Sequence, residues 1–92
     1  MLKTYLISYD LTGGKSSLAY SKLIKSITSV SYWAKPLESV FIIKSDFMAS
    51  KIASVLRQSV GPNDKLFVVE LNRDWAGLNL PINVINWLRA NI

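Results

Sequence analysis

The chain has 92 residues, half of them hydrophobic and 18% charged, with 11 Lys and Arg against 6 Asp and Glu, a net charge of +5, and neither cysteine nor histidine. That length makes one domain, 1–92, because shorter halves would bury too little surface to hold together. Without cysteine there is no disulfide framework or thiolate metal site, and without histidine there is neither the commonest general base nor the commonest transition-metal ligand.

Chemistry in this chain therefore rests on carboxylates, hydroxyls, lysines, tyrosines or a hard cation such as Mg²⁺. The apolar content is high for so small a domain, so a partner is expected to hide part of the surface, most simply a second copy in a homodimer. The positive charge favours a polyanion such as RNA or DNA, to be weighed against ordinary solvated helix faces. No run of about eighteen apolar residues is present to span a membrane, and MLKTYLISYD lacks a signal-peptide core, so a cytoplasmic protein with no membrane partner is expected.

Leu2 to Tyr9 alternates loosely, with Leu2, Leu6 and Ser8 on one face and Tyr5, Ile7 and Tyr9 on the other. Apolar residues on both faces predict an interior strand. It runs into Asp10 and a loop with Gly13 and Gly14. Gly14, Lys15 and Ser16 match the end of a phosphate-binding loop, but Tyr9 stands where its first glycine belongs.

From Ser16 to Ile27 the spacing of Tyr20, Leu23, Ile24 and Ile27 predicts a helix, with Ser16 or Ser17 as its cap. Val30 to Pro36 is β-prone, and Pro36 makes it an edge strand or ends it. Glu38 to Ser45, apolar on both faces, is a further strand. Ser45 and Asp46 are expected to cap a helix carrying Met48, Ile52, Val55 and Leu56, which stops at Gly61-Pro62. Leu66 to Leu71 is another strand, after the turn Pro62-Asn63-Asp64.

The order strand, helix, strand, strand, helix, strand predicts an α+β, ferredoxin-like (βαββαβ) domain: an antiparallel four-stranded sheet with two helices on one face. That core spans 1–74. The extension 75–92 carries Trp75, Leu78 and Leu80, then Pro81 at the start of a helix with Val84, Ile85 and Leu88 at helical spacing. It either caps the sheet's open face or docks on a partner.

Asp10 is the candidate catalytic and metal-binding residue, a strand-end carboxylate beside glycines that let a backbone approach closely. One carboxylate makes a poor site, but two Asp10 side chains brought together by a two-fold dimer are enough, with water and phosphate oxygens, for Mg²⁺. The competing reading is a turn residue that binds backbone amides. Ser8, Tyr9 and Ser39 are candidate supporting residues, with Tyr9 also a natural packed aromatic. Lys15 and Lys44 are the candidate nucleic-acid-binding residues. Trp33, Trp75 and Trp87 are read first as core or interface residues and second as stacking platforms for bases.

The strand ending in YDL, the helix YSKLIKSI, the run PLESVFIIKS, the helix ASKIASVLRQ and the strand NDKLFVVEL resemble, in order and spacing, the SinR-like group. That group is similar to the small CRISPR-associated endoribonuclease family and to virulence-associated protein D. The resemblance runs from Met1 to about Asp74. It implies a ferredoxin-like homodimer in which the aspartate closing the first strand, here Asp10, meets its symmetry mate at the interface. Mg²⁺-dependent endoribonuclease or nuclease activity on RNA or DNA is the implied function. The family's Ser-Val-Phe corresponds to Ser39, Val40 and Phe41. Other members of the superfamily are structural adaptors or belong to toxin-antitoxin systems, so a non-catalytic, nucleic-acid-binding dimer is the alternative. Two features depart from the family pattern: the first helix offers only Lys15, Lys22 and Lys25 where the family is often arginine-rich, and Trp75 to Ile92 lies outside the common core.

Overall fold

The computed structural model describes residues 1–13, 18–30 and 32–92. Along the chain run β1 (Lys3–Asp10), α1 (Leu18–Thr28), β2 (Trp33–Leu37), β3 (Val40–Ser45), α2 (Ala49–Arg57), β4 (Lys65–Glu70) and α3 (Ile82–Asn91). The strands make one antiparallel sheet in the order β2-β3-β1-β4. This is an α+β architecture with three helices, compatible with the ferredoxin-like fold expected from the element order.

Alternation along β1 sends Tyr5, Ile7 and Tyr9 to one face, where Phe41 and Ile43 of β3 join them. Tyr20, Leu23 and Ile27 of α1, at the predicted helical spacing, and Ile52 and Leu56 of α2 complete this main core. The opposite face is covered in part by the C-terminal segment. Ile42 packs there with Val84 and Leu88 of α3, flanked by Leu71, Trp75, Leu80, Trp87 and Ile92. The Thr4 hydroxyl donates to the Asn91 carbonyl at 3.2 Å, tying β1 to the end of α3. Of the two positions open to the tail, it takes the sheet's second face.

That cover stops halfway. Phe67 and Leu37, which turn to the same face, are 62% and 60% exposed. No helix among the described residues is long and apolar enough to cross a membrane.

Three local expectations are corrected. Ser45 and Asp46 do not cap α2, which starts later, at Ala49, with Met48 at its N-cap and no side-chain cap bond. The Ser45 hydroxyl instead accepts the Phe47 N–H at 3.0 Å in a turn before the helix. Starting there leaves Met48, expected in the apolar stripe, 71% exposed. The second strand begins at Trp33 rather than Val30, and it contains Pro36 as an edge strand, with a register shift between Ala34 and Leu37. The other edge, β4, pairs with β1 in unbroken register from Tyr5↔Glu70 to Asp10↔Lys65. The expected caps of α1, Ser16 and Ser17, lie outside the described residues.

Candidate functional site at the end of strand β1

β1 ends at Asp10 on the half of the sheet that α3 leaves open. Ser8, two residues earlier, shares its face. Across the ladder Asp10 faces Lys65 and Ser8 faces Phe67. Together with Tyr9 and Leu66 these residues line a shallow depression of about 140 Å³. Directly opposed side chains on one face of an antiparallel pair have Cβ atoms about 5 Å apart, so the Lys65 ammonium and the Asp10 carboxylate share one patch.

Asp10 is exposed and makes no side-chain hydrogen bond or ion pair among the described residues. Among the described residues the carboxylate that binds turn amides is Asp64. Asp64 Oδ1 accepts the Thr12 N–H at 2.8 Å and the Thr12 hydroxyl at 2.9 Å, and its Oδ2 accepts the Gly61 N–H at 2.7 Å. Those donors, Thr12 N–H first and Gly61 N–H next, hold the Asp64 carboxyl below its ordinary pKa by favouring its charged form. Asp64 thereby pins the segment that leaves Asp10 to the turn before β4. Its position in Pro62-Asn63-Asp64 marks a turn in the sequence, but the partner on a loop 52 residues away is set by tertiary structure.

The supporting residues separate onto different sides of the sheet. Tyr9 lies on the helix face, stacked on Phe41 at 6.1 Å and edge-on to Tyr20 at 5.6 Å. Its hydroxyl donates to the Glu38 carbonyl at 3.3 Å, and burial pushes its pKa up to about 12. A phenol so placed stays protonated and is poorly suited to exchange a proton near neutrality. Ser39 lies in the β2–β3 turn, where its carbonyl accepts the Tyr9 N–H at 3.2 Å and its hydroxyl pairs with the Tyr20 hydroxyl at 3.2 Å. Ser8 is thus brought to Asp10, whereas the Tyr9 and Ser39 hydroxyls are engaged in packing and turn contacts.

Lys44 stands opposite Thr4, six residues before Asp10 along β1, a separation of about 20 Å at the rise of an antiparallel strand. Within one protomer Lys44 and Asp10 cannot touch the same phosphate. Lys65 is the cation next to Asp10, and it was missed because its position depends on the β1–β4 register. Lys15 lies outside the described residues.

As half of a Mg²⁺ site, the patch offers the right donor type and too few donors. Mg²⁺ prefers oxygen ligands and is commonly held by one or two carboxylates, with water and substrate oxygens filling the rest. Asp10 fits that chemistry with an exposed carboxylate, and Ser8 adds a hydroxyl on the same face. No group of three or more acidic side chains able to hold a metal occurs among the described residues. A second carboxylate has to come from elsewhere. No protein-family model matches the chain, and no curated protein matches it.

Proposed function

We propose that the chain works as a homodimer on RNA or DNA phosphodiesters, with Asp10 of each protomer contributing one carboxylate to a shared Mg²⁺. The observation that carries this reading is the exposed Asp10 carboxylate, without a side-chain partner among the described residues, on the uncovered half of the sheet. The structurally committed carboxylate, Asp64, takes three hydrogen bonds, whereas Asp10 takes none from the described residues. Phe67 and Leu37, exposed on the same face, supply apolar surface for a second copy to bury. Face-to-face packing of two such half-covered sheets brings the two strand ends toward each other. The strand order supports assigning the domain to the ferredoxin-like arrangement.

Bound Mg²⁺ supplies charge neutralisation at the phosphodiester and a more acidic water. In this reading Asp10 holds the ion's coordination shell in place, Lys65 draws the phosphate toward it, and the Ser8 hydroxyl offers a hydrogen bond. Lys44 contacts the polyanion at a second point, about 20 Å along the sheet.

A non-catalytic, nucleic-acid-binding or adaptor dimer is the second reading. What favours it is Lys65 directly across from Asp10: an ammonium there competes with a metal ion for the carboxylate. One experiment separates the two. Asp10→Ala should abolish Mg²⁺-dependent cleavage of RNA or DNA while leaving the dimer intact by light scattering. Full activity in that variant sinks the catalytic reading. Salt-sensitive binding by the wild type without turnover, weakened when Lys65 or Lys44 becomes Ala, establishes the second.

A further inference from the structure

An opening of about 380 Å³ lies between the sheet's second face and the segment that leads from β4 to α3. Its floor is apolar, formed by Leu6 of β1 with Val40 and Ile42 of β3, which share that face. Leu88 of α3 stands on one side of it. Trp75 and Leu80, from the connecting segment, line it as well and pack in the same cluster as Leu88.

Two local features shape that segment. Asn79 has φ 62°, in the left-handed region that Asn adopts more readily than most residues. Gly77 lies so close to Leu80 that a Cβ there would stand 2.5 Å from the Leu80 Cδ1, so the missing side chain lets the segment fold down on this wall.

The polar part of the lining is small and of one sign. Asn72 and Asp74 supply the polar side chains, and no lysine or arginine among the described residues lines the opening, although the chain carries 11. Asp74 is exposed and has no hydrogen bond or ion pair among the described residues. Trp75, next to it in the chain, is half-buried. Small-molecule sites are concave and mostly apolar, with volumes of about 300–1,000 Å³ and a few polar groups that fix orientation. This opening has that size and that composition.

We propose that it binds a small organic cation, an amine with an apolar body, whose hydrocarbon part lies over Leu6, Val40 and Ile42 and whose ammonium meets Asp74 beside Trp75. The sign of the ligand follows from the lining. A carboxylate at the rim of an apolar opening attracts an ammonium and repels another carboxylate, and an indole face adds cation–π attraction. A small molecule reaches a floor flanked by α3 and Trp75 more readily than the flat face of a second sheet does. Leu6 precedes Asp10 by four residues, about 14 Å along β1, so the two sites are separate. The inference goes beyond the nucleic-acid reading and stands without it.

The test is a titration of the full chain with n-alkylammonium chlorides from butyl to octyl, followed by tryptophan emission and by calorimetry. The 1-alkanol and the alkanoate of each length are the comparisons. Saturable binding is expected, tightening about fourfold for each added methylene until the opening is full, with the ammonium tightest and the alkanoate weakest. Asp74→Asn, an exposed change without a folding cost, should weaken the ammonium by about threefold and leave the alkanol unchanged. Val40→Phe, which fills the floor, should abolish binding of both.

Equal affinity for ammonium and alkanoate, wild-type ammonium binding in Asp74→Asn, or the absence of saturable binding overturns the proposal. Binding lost in step with dimer formation in light scattering also overturns it, because the opening then belongs to a second copy. Amine binding should be unchanged in Asp10→Ala, whatever that variant does to RNA or DNA, so the two readings fail separately.

Discussion

Leu88→Ala tests the docking of α3 on the sheet. Leu88 is 3% exposed and packs with Ile42 and Val84 under the C-terminal segment. Leu to Ala removes roughly three methylene equivalents at about 0.8 kcal/mol each, or about 2.4 kcal/mol of transfer free energy. A cavity term raises the total to about 5 kcal/mol where the surroundings stay rigid. Leu88 also borders an opening of about 380 Å³ lined by Leu6, Trp75 and Leu78, among others. Neighbours with free space on one side relax into a vacated site, so the loss should fall low in the range, at about 2–3 kcal/mol. For a domain of this size that is a drop in Tm of about 10–20 °C.

Urea unfolding followed by tryptophan emission is the natural assay, because Trp75 and Trp87 flank the same cluster. A double-mutant cycle with Ile42→Ala should give a coupling of at least about 0.5 kcal/mol, as expected for side chains in contact. Leu23→Ala, at a fully buried position of the main core, is the comparison and should cost more. A loss below about 0.5 kcal/mol for Leu88→Ala, with no coupling to Ile42, would refute the docking of α3 on this face.

Asp64→Asn should free the segment after β1. The variant keeps one carbonyl oxygen for Thr12 but presents an amide in place of the second acceptor for Gly61, so exchange of the Thr12 and Gly61 amide hydrogens should accelerate. The depressed pKa of Asp64 means that its contribution is present above the unfolded-state value near 3.8 and is lost as pH falls through the lower folded value. Acid-induced loosening of the loop should therefore be shallower in Asp64→Asn, and unchanged Gly61 protection would contradict the clasp.

Tyr9, raised to about 12, acts in the opposite direction: its contribution is complete below pH 10 and disappears as pH climbs toward 12. Tyr9→Phe should cost about 1 kcal/mol near neutrality and flatten the alkaline fall in stability, measured by denaturant midpoints across that window. Phe67→Ser, at a position 62% exposed, should leave the Tm of the monomer within a few degrees of wild type and shift the proposed dimer toward monomer in light scattering. An unaltered dimer would place the contact elsewhere.

Periodicity made most of the architecture legible. Tyr20, Leu23 and Ile27, or Ile52 and Leu56, announce their buried stripe because a helix that packs on a sheet must repeat its apolar residues near 3.6. β1 and β3 were readable as interior strands because Ile7 and Leu6, or Phe41 and Ile42, are apolar on alternate sides. Local chemistry misled where two local options compete. Ser45 and Asp46 look like a cap, but a hydroxyl that can close a short turn with Phe47 N–H does so before the helix begins.

The site was legible only in its covalent part. Asp10 stands out as a carboxylate at a strand end, but its neighbour Lys65 arrives through β1–β4 register, and Asp64 finds Thr12 across 52 residues. Neither pairing leaves a trace in nearby sequence. The stripe on α3 was equally visible, yet a stripe says that a helix must be covered and not by what. Only the cluster with Ile42 identifies the sheet as its bed.

The contrast between the two edges of the sheet bears on how the chain behaves when crowded. β2 ends the sheet with a proline and an irregular ladder, which blunt it as a template. β4 is regular along KLFVVE, and the Leu71 N–H donates to the Thr4 carbonyl at 2.8 Å, so alternation turns the peptide groups of Leu66, Val68 and Glu70 outward. Four consecutive apolar residues with strong β-propensity along an outer strand are the chain's seeding hazard. Lys65 and Glu70 bracket them as gatekeepers, and the contact of Glu70 with Lys3 at 3.9 Å anchors one of the two. Neutralising either charge would remove a guard from the more regular of the sheet's two edges.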